Sequence, residues 1–155
     1  MRVLFVCAGN ICRSPTAEGI LRGLIAEAEL NDEIEVESAG TGGWHVGDPP
    51  DPRSVAAAAD RGVELSGAAR QVDEGDFEAF DLLVALDRSN RDALTRLAPD
   101  EEARGRIKLL REYADGEEHD VPDPYYGGAE GFAEVVEIVE RNCRALLHDL
   151  DDGRP

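Results

Sequence analysis

Arg2-Val3-Leu4-Phe5-Val6-Cys7-Ala8-Gly9-Asn10-Ile11-Cys12-Arg13-Ser14-Pro15 opens the chain, and its reading decides the fold. The run from Arg2 to Cys7 is β-branched and aromatic without polar alternation, the pattern of a strand buried on both faces of a parallel sheet. Ser14 is suited to cap a helix and Pro15 to begin one. Ile20, Leu21, Leu24 and Ile25 then recur at helical spacing, which predicts a helix to about Glu29.

The same reading continues along the chain. Alternation through Ile34, Val36 and Ser38 predicts a second strand over 34–39, ended by Gly40. A loop rich in glycine and proline, 40–52, leads to a helix ending near Gly62. Asp81 to Leu86 reads as a third strand, 89–97 as a helix, and Ile107 to Leu110 as a short fourth strand. A polar loop over 111–129 precedes a final amphipathic helix that carries Phe132, Val135, Val136, Val139, Leu146 and Leu147. Strands alternating with helices imply an α/β three-layer sandwich of the flavodoxin or Rossmann type: a parallel sheet with helices on both faces. Residues 1–150 are expected to form one domain, with a frayed terminus at 151–155. In such sheets ligands bind beyond the carboxyl ends of the strands. Cys7, Asp87 and Asp123 all follow strands on that edge.

Composition narrows the function classes. There are 34 acidic and 16 basic residues, a net charge of −18, and Lys108 is the only lysine. That balance disfavours binding to nucleic acid or an anionic membrane. It suits a high-salt cytoplasm, where repulsion is screened; a fold equally stable in low and molar salt would contradict this. No run approaches the ~20 apolar residues of a membrane span, and no signal-peptide layout is present. Three cysteines, an odd number, argue for a reducing compartment. A cytoplasmic location is expected.

The chemistry lies in the segment between the first strand and its helix. A cysteine at a strand end, with five residues between it and Arg13-Ser14, sits where backbone N–H groups and a helix dipole converge on an anion. Helix N-termini near arginine are sites where cysteines become nucleophilic thiolates. Ala8, Gly9, Asn10, Ile11 and Cys12 supply the backbone donors, and Gly9 and Asn10 tolerate left-handed angles. The planar fork of Arg13 can grip two oxygens of a phosphoryl group, which a lysine cannot. Ser14 can hydrogen-bond the Cys7 sulfur. An isolated cysteine there would read as core packing; the combined pattern reads as an active thiol. A nucleotide P-loop fits poorly, because no Gly-Lys-Ser/Thr closes the loop.

These residues, with Ala17-Glu18, resemble the active-site loop of the low-molecular-weight protein tyrosine phosphatases. The likeness extends through Ser38-Ala39-Gly40-Thr41, Gly47-Asp48-Pro49-Pro50-Asp51, Ala69-Arg70-Gln71, Phe80-Asp81, Asp87-Arg88-Ser89-Asn90 and Asp123-Pro124-Tyr125-Tyr126-Gly127. The resemblance implies a four-stranded parallel sheet, a phosphocysteine intermediate, and neither cofactor nor metal. It implies Cys7 as nucleophile, Arg13 as phosphate grip and Asp123 as general acid, although an Asp-Pro pair alone is more often a turn. Tyr125 resembles the aromatic wall of the cleft. Trp44 and His45 fall on the opposing, variable wall, where surface placement is the alternative. Asn10 and Ser38 resemble partners that hold the loop's shape. A family histidine of that network falls where this chain has Gly67. Asp51 and Asp87 are expected to brace the cleft. Cys12 is either a small packing residue or a redox partner of Cys7, and Cys143 is expected in the core. Tyr126 is open between packing and regulation.

The implied substrates are a phosphotyrosine protein or a small aryl phosphate, with inorganic phosphate or a similar oxyanion in the loop. Three rivals bear on this. A thioredoxin-coupled arsenate reductase needs further cysteines after the third strand, and 85–97 has none. A protein-arginine phosphatase carries threonine where this chain has Ile11. A noncatalytic phosphate- or redox-sensing module would be expected to lose the nucleophile, the arginine or the acid, and all three are present.

Overall fold

The computed structural model describes residues 1–116, 119–125 and 127–152. Four parallel strands form one sheet: β1 (Arg2–Cys7), β2 (Glu35–Gly40), β3 (Leu82–Ala85) and β4 (Ile107–Leu109), in the order β2-β1-β3-β4. β1 is central, pairing Val6 with Ala39 on one side and with Ala85 on the other. Its apolar residues are all buried, which is why the run carries no polar alternation. Val3, Phe5 and Cys7 face one layer and Leu4 and Val6 the other, so the strand's period of two divides the core.

Helices cover both faces. α1 (Arg13–Glu27) and the final helix, Ala129–Asp152, pack on the Val3-Phe5-Cys7 side together with Ile20, Leu21, Val135, Val139 and Leu146. On the opposite face lie a short α3 (Asp76–Ala79), α4 (Arg88–Leu97) and a short α5 (Glu101–Arg104), through Phe77, Leu94 and Ala103. α2 (Pro52–Ala59) packs against α1 and the final helix, which is numbered α6. Burying a side chain such as Phe5 or Leu21 contributes roughly 1.5–3 kcal/mol. Among the described residues, no helix is long and apolar enough to cross a membrane.

Several boundaries differ from those read along the chain. Helix α1 begins at Arg13, with Cys12 at the cap position and no side-chain cap, because the Ser14 hydroxyl is taken by other partners. Its end comes two residues early. Glu29 turns left-handed at φ 58°, and the N–H groups of Glu29 and Leu30 close back on Ala26 and Ile25. The last turn after α2 closes at a left-handed Gly62, where the glycine had marked the end. The one-turn helices α3 and α5 and a single 3-10 turn at Leu110–Glu112 were not expected, since four residues carry no readable period. Helix α6 runs through Asp151 and Asp152, into the segment expected to fray. Residues 153–155 and Tyr126 lie outside the described residues.

Candidate active site

The carboxyl end of β1 delivers Cys7 to the floor of a cleft of about 390 Å³. Cys7, Ala8, Gly9, Ile11, Cys12, Arg13, Trp44, His45, Asp123 and Tyr125 line it. Most of the sequence-predicted residues therefore come together there, from three loops far apart along the chain, while Asn10, Ser14 and Ser38 lie outside its lining.

The turn between Cys7 and Arg13 has a distinctive hydrogen-bond pattern. The carbonyls of Cys7, Ala8, Ile11 and Cys12 accept from the N–H groups of Thr41, Gly42, Asp51 and Thr16, at 2.8, 3.0, 2.8 and 3.3 Å. The carbonyls are thus tied back into the protein. Among the described residues, the N–H groups of residues 8–12 find no protein acceptor. A turn with its carbonyls occupied and its N–H groups unused is built to receive an anion.

Asn10 holds this shape. It is buried and left-handed at φ 59°, a conformation asparagine tolerates better than most residues. Its Nδ2 donates to Ser14 Oγ at 2.8 Å and to Ser38 Oγ at 2.9 Å, while Oδ1 accepts from the Arg70 N–H at 3.0 Å. Ser38 in turn donates to Glu18 Oε1 at 2.6 Å. At the other end, Ser14 Oγ lies 2.9 Å from Cys7 Sγ. One chain of contacts therefore runs Glu18–Ser38–Asn10–Ser14–Cys7. Its closure by Glu18 and by a backbone N–H of Arg70 was not read from the sequence. Gly67, where the family places a histidine, borders a hollow of about 160 Å³ behind this chain, and the Asn10–Ser38 link stands without a side chain there.

Arg13 is buried, its side chain only 4% exposed. Asp87 meets Nη1 at 2.6 Å, and the Val121 carbonyl accepts from the same nitrogen at 3.0 Å. Asp87 is fixed by its second role as the cap of α4, accepting the Asn90 N–H at 2.7 Å. Burial works against the guanidinium charge, but the Cys7 charge, the Asp87 hydrogen bond and the charges of Asp87 and Asp123 outweigh it and raise its pKa. Removing Asp87 would take from a buried guanidinium its nearest carboxylate, at a cost of about 3–5 kcal/mol. Arg13 Nη2 points the other way, 3.7 Å from Asp123 Oδ2. Asp123 lies on the loop after β4, its carboxyl 52% exposed, and its Oδ1 accepts the Tyr125 N–H.

Residues 2–154 match the family model described as low molecular weight phosphotyrosine protein phosphatase. A Streptomyces coelicolor low molecular weight protein-tyrosine-phosphatase is 50% identical over 149 residues, covering 94% of this chain and 91% of the relative. This chain belongs to that family. Among solved structures, a protein tyrosine phosphatase from Entamoeba histolytica, with Hepes in its active site, superposes with a TM-score of 0.94 at 36% identity, over 99% of this chain and 98% of that one. The YwlE arginine phosphatase, known from Bacillus subtilis, shares the fold at a TM-score of 0.90 but only 27% identity, over 99% and 98% of the two chains. The protein is accordingly a protein-tyrosine-phosphatase of the low-molecular-weight class, and the arsenate and arginine readings are related activities that these likenesses do not favour.

The walls of the phosphatase cleft differ in character. Trp44 is 75% exposed and lies across Gly42, where any side chain would meet its ring. His45 rests over Gly9 and pairs with Asp48 at 3.2 Å. Cys12 borders the cleft but is buried. Burial, with the nearby charges of Asp51, Cys7 and Asp123, pushes its thiol up to about 12, against a hydrogen bond from Ser54 that lowers it. All three cysteines are free thiols. Asp51 caps α2 by accepting the Arg53 N–H, and its own N–H secures the Ile11 carbonyl. Arg53 was not singled out by the sequence reading; Asp51-Pro52-Arg53 looks locally like an ordinary helix start.

Proposed function

We propose that this phosphatase hydrolyses phosphotyrosine, and small aryl phosphates that share its ring, through a phosphocysteine intermediate. The observation that carries the reading is the anion-ready turn at residues 8–12, which shares one cleft with Cys7, Arg13 and Asp123. Phosphoryl oxygens, or inorganic phosphate, accept from the unused N–H groups and from Arg13. The Cys7 thiolate attacks phosphorus, forming a P–S bond as the P–O bond to the ring breaks. Asp123, in its acid form, gives its proton to the departing tyrosyl oxygen. The resulting carboxylate then takes a proton from the water that attacks phosphorus, and the P–S bond breaks to release inorganic phosphate and the thiolate.

Ser14 assists the second step. Asn10 already donates to its oxygen, and the alternative acceptor, Ala39 carbonyl, is 3.5 Å away. The serine proton is therefore directed to the sulfur at 2.9 Å, where it stabilises the departing thiolate. Trp44 and Tyr125 flank the substrate ring. Cys12, with its thiol pushed up, serves as a packing residue in the resting enzyme.

The test is a panel of phosphotyrosine, phosphoarginine and phosphoserine peptides, run with and without chelator on the parent and on Cys7→Ser. Turnover is expected to favour phosphotyrosine, to persist in chelator and to vanish in Cys7→Ser. A metal requirement, substantial activity without the thiol, or faster phosphoarginine turnover would overturn the reading.

A further inference from the structure

Tyr125 is held by groups that take no part in the steps above. His45 meets its ring at 6.2 Å between centroids, tilted by 49°. Arg53 lies over the same ring, with Cζ 5.5 Å from the centre, and its guanidinium also lies 4.6 Å from the centre of the Phe132 ring. Cation–π contacts of this kind are attractive, and arginine makes them through a flat, weakly hydrated face. Arg53 does not line the cleft, whereas Tyr125 does. The arginine therefore meets the wall from outside the substrate space.

Arg53 is itself held in place. Its Nε and Nη2 donate to the two oxygens of Asp51, at 3.1 and 2.9 Å, a two-point contact that fixes the plane of the fork. The Asp51 N–H donates to the Ile11 carbonyl at 2.8 Å, so this carboxylate is registered to the phosphate-binding turn. Phe132 and Tyr125 pack with Ile11 and Cys12 in a small apolar cluster on that side. A continuous path thus leads from the turn to Asp51, to Arg53 and to the Tyr125 ring.

We propose that Arg53 is a positioning residue, which sets the Tyr125 ring at a fixed place relative to the phosphate-binding turn and thereby governs binding of the substrate's aromatic group. The proposal rests on the reading of Tyr125 as a wall for the substrate ring. Its effect falls on kcat/KM for aryl phosphates. Once the aryl alcohol has left, breakdown of the phosphocysteine no longer involves the ring. Inorganic phosphate has no ring, so its binding is unaffected.

The experiment measures kcat and kcat/KM for phenyl phosphate, and the inhibition constant for inorganic phosphate, in the parent, Arg53→Met, Arg53→Lys and Tyr125→Ala. Methionine keeps the apolar stem and loses the charge and the fork; lysine keeps a cation without the fork. Arg53→Met is expected to lower kcat/KM by about two- to five-fold, the range of an exposed cation–π contact, with phosphate inhibition unchanged. Arg53→Lys should fall between it and the parent. Unchanged kcat/KM in Arg53→Met, or an equal weakening of phosphate inhibition, would overturn the proposal; the latter would mark Arg53 as a prop of the turn itself. Tyr125→Ala separates the two layers of the argument. If it leaves kcat/KM unchanged, the reading of the wall fails. If it lowers kcat/KM while Arg53→Met does not, only the role of Arg53 fails.

Discussion

The floor and the rim of the cleft are built on opposite principles. On the floor, Asn10, Arg13 and Ser14 are at most 3% exposed, and each has at least two hydrogen-bonded protein partners. On the rim, Trp44 is 75% exposed and the Asp123 carboxyl 52%. The floor is preorganised: its donors are aimed before any phosphate arrives, so little reorganisation accompanies the reaction. On the rim, Trp44 and Asp123 sit exposed on loops that can adjust to what the phosphate is attached to, while Tyr125 is held by Arg53 and His45. Rate enhancement should therefore depend on the floor, and substrate choice on the rim. Asp123 is the exception, an exposed group to which we assign a chemical task.

That exception gives the largest test. Asp123→Ala is expected to reduce turnover of phenyl phosphate by ~10²–10⁴, the range of general acid catalysis, and that of an aryl phosphate with an activated leaving group far less. Equal losses on both substrates would remove Asp123 as the proton donor. On the floor, Arg13→Lys should cost ~10²–10³ in kcat/KM although the charge is kept, because a lysine cannot serve Asp87, the Val121 carbonyl and a phosphoryl group together. A lysine variant within ten-fold of the parent would break the contrast between floor and rim.

Asn10→Ala sharpens the same contrast through stability. The substitution removes three hydrogen bonds and puts alanine at φ 59°, so a loss of about 2–3 kcal/mol in urea unfolding is expected. A change within error would mean that the floor is not prebuilt. Trp44→Ala should have the smallest effect: stability within ~0.5 kcal/mol of the parent, and kcat/KM for aryl phosphates lower by about two- to ten-fold. If it destabilises the fold as much as Asn10→Ala does, the rim is structural and the distinction fails.

Legibility followed the range of the interactions. Strand β1 and the turn after it could be read because their signals are local: an apolar run buried on both faces, then a cysteine, glycine and asparagine, and an arginine before a helix. The brace on Arg13 was foreseen only as a general role for Asp87. Its two functions, capping α4 and pairing with the guanidinium, require β1 and β3 to lie side by side. Of the two tasks read for Ser14, the contact with the Cys7 sulfur is present and the helix cap is not, for a similar reason. As a local signal it is a good helix cap; in the folded chain Cys7 and Asn10 claim its hydroxyl. Arg53 left no local signal at all, since its partners Tyr125 and Phe132 are more than 70 residues away.

By itself, the sequence determined the class of fold and set a cysteine before a turn and helix start suited to an anion, because hydrophobic period, turn chemistry and the donor character of a helix start are properties of neighbouring residues. Tertiary structure decided how those groups are aimed. It tied the carbonyls of the turn to Thr41, Gly42 and Asp51, leaving the N–H groups of residues 8–12 for a ligand, and it compensated a buried arginine with an aspartate from the turn between β3 and α4. Hydrogen bonds and charge pairs act over a few ångströms of space whatever the separation along the chain, so their partners are chosen only when the sheet forms.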